Sequence, residues 1–201
     1  MKEVRQQPAQ PTVAAVMPSQ AEQAVAAIVL AFASDPAARW SYPDPRDYLT
    51  HFPSVARAFG GRAFAAGTAH QVDGFAGAAL WLPPGIGPDE DTLAAILQET
   101  VAAERQAEMS AVLEQMGSYH PSEPHWHLPL IGVDPVHQHK GHGSALLRHA
   151  LRQCDDQHAP AYLESSNPAN IPLYERHGFV IMATIQEGSS PPIVPMLRTA
   201  R

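Results

Sequence analysis

The sequence predicts an α/β domain, and three observations predict it. First, Ile131-Gly-Val-Asp-Pro-Val-His-Gln-His-Lys-Gly-His-Gly-Ser-Ala-Leu-Leu147 reads as an apolar strand end, a turn carrying glycine and histidine, and a helix start. Second, Leu147, Ala150, Leu151 and Cys154 follow at i, i+3, i+4 and i+7, the spacing of one buried helical face. Third, runs of helical period and short apolar runs of strand length are mixed along the chain, as layered helix-on-sheet architectures require.

Composition narrows the function classes. A chain of 201 residues suits one domain with a sizeable core, or one domain carrying an insertion. No apolar run is long enough to span a bilayer, and Met1-Lys-Glu-Val-Arg-Gln-Gln-Pro8 contains no apolar signal core, so no membrane partner and a cytoplasmic location are expected. The one cysteine, Cys154, excludes an internal disulfide and sits on an apolar helix face, the place of a small core residue. The net charge of −7, without a Lys/Arg cluster, argues against nucleic acid. It suits a cationic acceptor, or solubility alone.

Taken in order, residues 1–10 are expected to be a flexible polar arm, and 11–201 one domain. Thr12–Met17 reads as a first strand. Ser19-Gln-Ala-Glu22 spells a capping box before Val25, Ile28, Val29 and Phe32, predicting a helix over 20–33 that Asp35-Pro36 ends. Arg39-Trp-Ser-Tyr-Pro-Asp44 is expected to be an aromatic loop, and Pro45 opens a second helix through Tyr48, Phe52, Val55 and Phe59. Strands are expected at 62–66, 69–72 and 74–81, with Asp73-Gly74 as a hairpin turn. Two amphipathic helices follow, one through Leu93, Ile96, Leu97 and Val101, the other through Met109, Val112, Leu113 and Met116. His125–Val133 is the strand before the glycine turn, with Pro129 awkward within it. Ala161–Ser165 reads as a buried strand, and 179–187 and 193–198 as two closing strands.

The glycine turn opens a packed helix, whose unpaired N–H groups and dipole suit an anion. Gly141 and Gly143 let backbone approach such a ligand closely. Neither the triphosphate loop spelling nor the dinucleotide one is present. What stands is Gln138-x-x-Gly141-x-Gly143, followed downstream by Asn167-Pro-Ala-Asn-Ile-Pro-Leu-Tyr174 and Glu175-Arg-His-Gly-Phe179. The first resembles the acyl-CoA pyrophosphate loop, [RQ]-x-x-G-x-[GA], of the GCN5-related N-acetyltransferase (GNAT) family. The second resembles that family's N-x-x-A-x-x-L-Y-x-x-x-G-F block, with Asn170 in place of the usual small residue.

The resemblance implies a mixed, mostly antiparallel sheet flanked by helices, with a V-shaped splay between two central parallel strands that gives Pro129 a reason. It implies acetyl-CoA as cosubstrate, no metal, and transfer of the acetyl group to a small-molecule primary amine by direct attack. A non-catalytic acyl-CoA-binding module and a peptide or protein N-acetyltransferase are the alternatives. Main-chain groups of Ile131, Gly132 and Val133 would meet the pantetheine arm. The N–H groups of Gln138, His139, Lys140, Gly141, His142, Gly143 and Ser144 would take the pyrophosphate, with Lys140 adding charge and Asn167 a further cofactor contact. Tyr174 matches the family's general acid, since a phenol with a reference pKa of roughly 10 keeps its proton at neutral pH; a core tyrosine is its bland alternative. Glu164 is the candidate base or water-orienting group, a buried salt bridge being an equal account. Asp35, Trp40 and Tyr42 are candidates for acceptor contact. Residues 84–124 exceed the compact family pattern by roughly forty residues and are expected either to cover the acceptor mouth or to make a homodimer contact. His125, His127, His137, His139 and His142 lack accompanying acidic or cysteine ligands in sequence, so solvated or phosphate-adjacent roles are expected rather than a metal.

Overall fold

The computed structural model describes residues 10–201, so the arm expected over 1–10 lies, but for Gln10, outside the described residues. Seven strands form one sheet in the order β1-β2-β3-β4-β5-β7-β6, with β1 Val13–Ala15, β2 Ala69–Val72, β3 Gly77–Leu82, β4 Trp126–Val133, β5 Ala161–Ser165, β6 Val180–Ile181 and β7 Val194–Arg198. Every neighbouring pair is antiparallel except β4 and β5. Strand β3 is buried on both faces: Ala78, Leu80 and Leu82 point into one core and Ala79 and Trp81 into the other, as the two-residue side-chain period dictates. On the first face lie α1 Ala21–Phe32, α3 Pro45–Gly60 and α5 Glu90–Thr100. On the second lies α7 His142–Asp156, burying Ala145, Leu146, Leu147, Ala150, Leu151 and Cys154, the face that the sequence period marks.

The splay has a local cause. From Leu80 to Leu82 is two steps on β3, but the paired residues Leu130 to His127 span three steps on β4, so an extra residue lies beside Pro129. Pro129 has no N–H to give a ladder. The parallel ladder registers only Trp126↔Ala161 and His127↔Tyr162 and stops there, leaving the strands apart beyond it. Gly132 sits in this stretch, where α1 comes so close that a Cβ would collide with the Ala31 methyl.

Four expectations are corrected. Arg62–Ala66 is a helix, α4, rather than a strand; Ala63 is buried, and Gly67 at φ 69° ends the turn by donating its N–H back to Ala63 and Phe64. The Ser19/Glu22 capping box does not form. Instead Pro18–Gln20 makes a 3₁₀ turn whose Gln20 side chain accepts the Met17 N–H, and Glu22 pairs with Arg57. The aromatic stretch after Asp35 is helical, α2 Pro36–Ser41, because Asp35 caps it. The strand expected over 179–187 shrinks to Val180–Ile181 plus one bridge, Ile185↔Ile193, whereas its expected partner forms as β7. The loop after it is held by α6 Ala103–Tyr119: Ser189 N–H and Oγ donate to Glu108 at 3.0 and 2.6 Å.

One buried histidine makes stability depend on pH. His70 on β2 is buried edge-on to His149 of α7, ring centroids 4.6 Å apart. Burial, with the His149 charge adding to it, pushes its pKa from 6.5 down to about 4. The unfolded chain thus takes up this proton at higher pH than the folded one, so the stability is complete above pH 6.5 and lost as pH falls toward 4. We expect a loss on the order of 3 kcal/mol across that window, measured by urea unfolding, and a shallower slope in His70→Leu; an unchanged slope would contradict it.

Candidate active site

A cavity of about 800 Å³ opens where β4 and β5 part. At one end the chain leaves β4 through Asp134, whose side chain accepts the Val136 N–H at 3.1 Å, and turns in a 3₁₀ segment, Pro135–His137. Gln138 fastens the turn to the strand, donating from Nε2 to the Val133 carbonyl at 3.2 Å. His139 has φ 60° and Gly141, the N-cap of α7, has φ 86°. No atom lies within 4 Å of a Cβ at Gly141, so the left-handed backbone, not space, asks for glycine there. Gly143 is a matter of space, for its Cβ would meet Leu173 at 3.3 Å.

Of the loop residues named from sequence, Ile131, Gly132, Val133, Gln138, His139, Gly141, His142, Gly143 and Ser144 line this cavity, and so does Asn167. Lys140 is not among the lining residues; its Nζ donates to the Val136 carbonyl at 3.0 Å, turned back along the loop. Arg176, which sequence reasoning passed over inside the tyrosine block, lines the cavity instead. The histidines of the turn, for which solvated or phosphate-adjacent roles are expected, do not gather at one point. His142 is buried between the His137 carbonyl, 2.9 Å from Nδ1, and Asp73 Oδ2, 3.0 Å from Nε2, and His137 faces Asp134.

At the other end the cavity meets aromatic and acidic side chains. Tyr174 of α8 Ile171–Arg176 is buried and lines it; burial, with the Asp35 charge adding to it, holds the phenol well above its ordinary pKa. Asp35 is buried with three donors on its carboxylate: the N–H groups of Ala37 and Ala38 at 3.0 and 3.1 Å, and Ser166 Oγ at 2.7 Å. Burial nevertheless outweighs these bonds and raises its pKa. Trp40 lines the cavity and donates to Ser189 Oγ at 3.0 Å, and Tyr42 shares a 2.7 Å hydrogen bond with Thr100 of α5. Phe32, Phe59, Leu93, Leu97, Met109 and Leu113 supply apolar wall, so α5 and α6 close one side of the chamber.

Glu164 also lines the cavity, with partners that sequence spacing hid. Its Oε2 is 3.0 Å from His127 Nε2, and its Oε1 is 2.9 Å from His120 Nε2, the latter approach lacking hydrogen-bond geometry. Burial works to raise this carboxyl, and the imidazoles of His127 and His120 more than offset it, so the group is held below the usual carboxylate range.

An N–H-lined turn at a helix start, an unladdered strand edge and a buried tyrosine share one cavity. The family model described as acetyltransferase (GNAT) family matches residues 32–179. The chain belongs to this family. An uncharacterized N-acetyltransferase of Schizosaccharomyces pombe is 36% identical over 76 residues, covering 36% of this chain and only 31% of that relative's length. A Corynebacterium glutamicum protein described as histone acetyltransferase HPA2 and related acetyltransferase superimposes with TM-score 0.70 at 26% identity, covering 96% of this chain and 98% of its own. The polyamine N-acetyltransferase of Drosophila melanogaster has the same fold at TM-score 0.66 and 13% identity, covering 94% of this chain and 100% of its own.

The Asp35 cap generates a stability prediction at this GNAT site. Asp35→Ala removes the acceptor of two backbone N–H groups and of Ser166, and should cost about 1–2 kcal/mol in chemical unfolding. Asp35→Asn, itself a good cap, should keep most of that stability; equal losses would show that the cap is not what Asp35 contributes.

Proposed function

We propose that this chain moves an acetyl group from acetyl-CoA to the primary amine of a small molecule, by direct attack in a ternary complex. The observation that carries the reading is the continuity of one cavity from the Gly141 turn, past the open edge of β4, to Tyr174, Asp35 and Glu164. When bound, acetyl-CoA supplies a thioester whose carbonyl an amine can attack. The turn from Gln138 to Ser144 fits its pyrophosphate, since a left-handed Gly141 and a helix start direct N–H groups to one place. Arg176 adds the cation that Lys140, held by Val136, does not. Asn167 is the further cofactor contact. The main chain of Ile131, Gly132 and Val133 lies past the end of the parallel ladder and can hydrogen-bond the pantetheine arm and polarise the carbonyl.

Tyr174 donates a proton to the departing sulfur, a role supported by its place in the cavity; burial keeps the phenol protonated and so able to donate. Asp35 takes a proton from the substrate ammonium, leaving the neutral amine whose lone pair attacks the thioester carbonyl. Of the two carboxylates lining the cavity, the pKa of Asp35 is the one raised, whereas Glu164, the base expected from sequence, is held low by its imidazoles and is the poorer proton acceptor. Trp40, Tyr42 and the apolar faces of α5 and α6 fit an amine carried on an apolar body.

The test is thiol release from acetyl-CoA over arylalkyl, alkyl and polyamine acceptors. Tyr174→Phe should lower kcat about 100-fold or more with KM for acetyl-CoA little changed. Asp35→Asn should lower the rate near pH 7 and regain part of it as rising pH deprotonates the free amine. No thiol release from any amine, with acetyl-CoA still raising the melting temperature, would replace this reading by a non-catalytic acyl-CoA-binding module.

A further inference from the structure

His120, His127 and Glu164 come from three separate elements: the residue capping α6, the second residue of β4, and the fourth of β5. One ligand atom from each lies within 4.8 Å of the other two. The side chains of Glu164 and His127 are 3% and 4% exposed, whereas that of His120 is 31% exposed and leaves a way in from solvent. Glu164 forms no ion pair with lysine or arginine among the described residues; both of its pairs are with imidazoles. A buried carboxylate needs a compensating positive charge, which here only imidazoles or a bound cation can bring.

His127 Nε2 and Glu164 Oε2 form one hydrogen bond at 3.0 Å, and the second carboxylate oxygen is unpaired. Oε1 lies 2.9 Å from His120 Nε2 without hydrogen-bond geometry, so it is left without a partner. The nearby Tyr162 hydroxyl is buried and also lacks a partner. The Tyr162 ring holds the imidazoles of His120 and His127 in place, with centroid separations of 4.5 and 5.7 Å.

We propose that His120, His127 and Glu164 bind one divalent transition-metal ion of the zinc class. Two imidazole nitrogens and one carboxylate oxygen are a donor set that zinc accepts with a fourth position left open. Glu164 also lines the large cavity, so a small ligand there can reach the ion. The ion neutralises the buried carboxylate and ties the end of α6 to β4 and β5. The sequence gives no warning of the site, because the acid that completes it stands 37 residues beyond His127.

Cobalt(II) is the direct probe, since its visible absorption reports coordination without any turnover. Titration of the full chain should give one equivalent of a low-coordinate cobalt spectrum that zinc displaces, and zinc should raise the melting temperature. His120→Ala, at the half-exposed ligand, and Glu164→Gln should each weaken zinc binding by at least about 100-fold, more than loss of an outer-sphere group does. His139→Ala, on the glycine turn, should leave binding unchanged. Circular dichroism of each variant establishes that it is folded. Absence of a cobalt spectrum, or a zinc affinity indifferent to His120→Ala and Glu164→Gln, would overturn the proposal and assign any residual binding to the other histidines.

Discussion

Two parallel strands that are paired at one end only shape this molecule. Buried backbone groups require hydrogen-bond partners, and a strand in a sheet ordinarily takes them from both neighbours. Strand β4 has β3 along its length, but its ladder to β5 ends at His127↔Tyr162. Pro129 and the extra residue opposite Leu80 and Leu82 bring about that separation. What would have been a closed sheet becomes a cleft whose walls carry unused main-chain donors and acceptors. The start of α7 stands at one mouth of that cleft, and Tyr174 and Asp35 lie within it.

The cleft is electrically divided. One end presents a helix start, whereas the inner end presents the carboxylates of Asp35 and Glu164, and Arg176 is a cation on the cleft wall. An anion is favoured at the first and a cation at the second. Any positive potential at the loop end comes from main-chain N–H groups rather than lysine, since Lys140 donates to the Val136 carbonyl. This suits a chain whose net charge is −7: attraction is local and does not depend on a basic surface.

The inner chamber depends on cross-links between segments remote in sequence. Tyr42 bonds Thr100, Trp40 bonds Ser189, Ser189 bonds Glu108, and Ser166 bonds Asp35. Through these, α2, α5, α6, the tail loop and the end of β5 hold one another around the inner chamber. Helices α5 and α6 bury their apolar faces within the chain, Leu93 and Leu97 with Val101 in the main core and Val112 against Ile185 and Ile193.

The sequence by itself determined whatever rests on neighbours along the chain. Helical period marked the buried face of α7, the Asp-Gly dipeptide marked the β2–β3 turn, and Gly141 and Gly143 marked a turn at the start of α7, because each is a local backbone preference. Local preference also failed where two structures suit the same residues: Ala63 to Ala66 could alternate in a strand, and the positive φ of Gly67 made them a helix. The tertiary structure alone decided which side chains meet. Asp35 found Ser166 across 131 positions and Glu164 found His127 across 37, while Lys140, beside the anion turn in sequence, was drawn away from it. Burial then separated the two carboxylates, raising one and leaving imidazoles to hold the other low, since a pKa is set by surroundings assembled from the whole fold and not by the residues on either side.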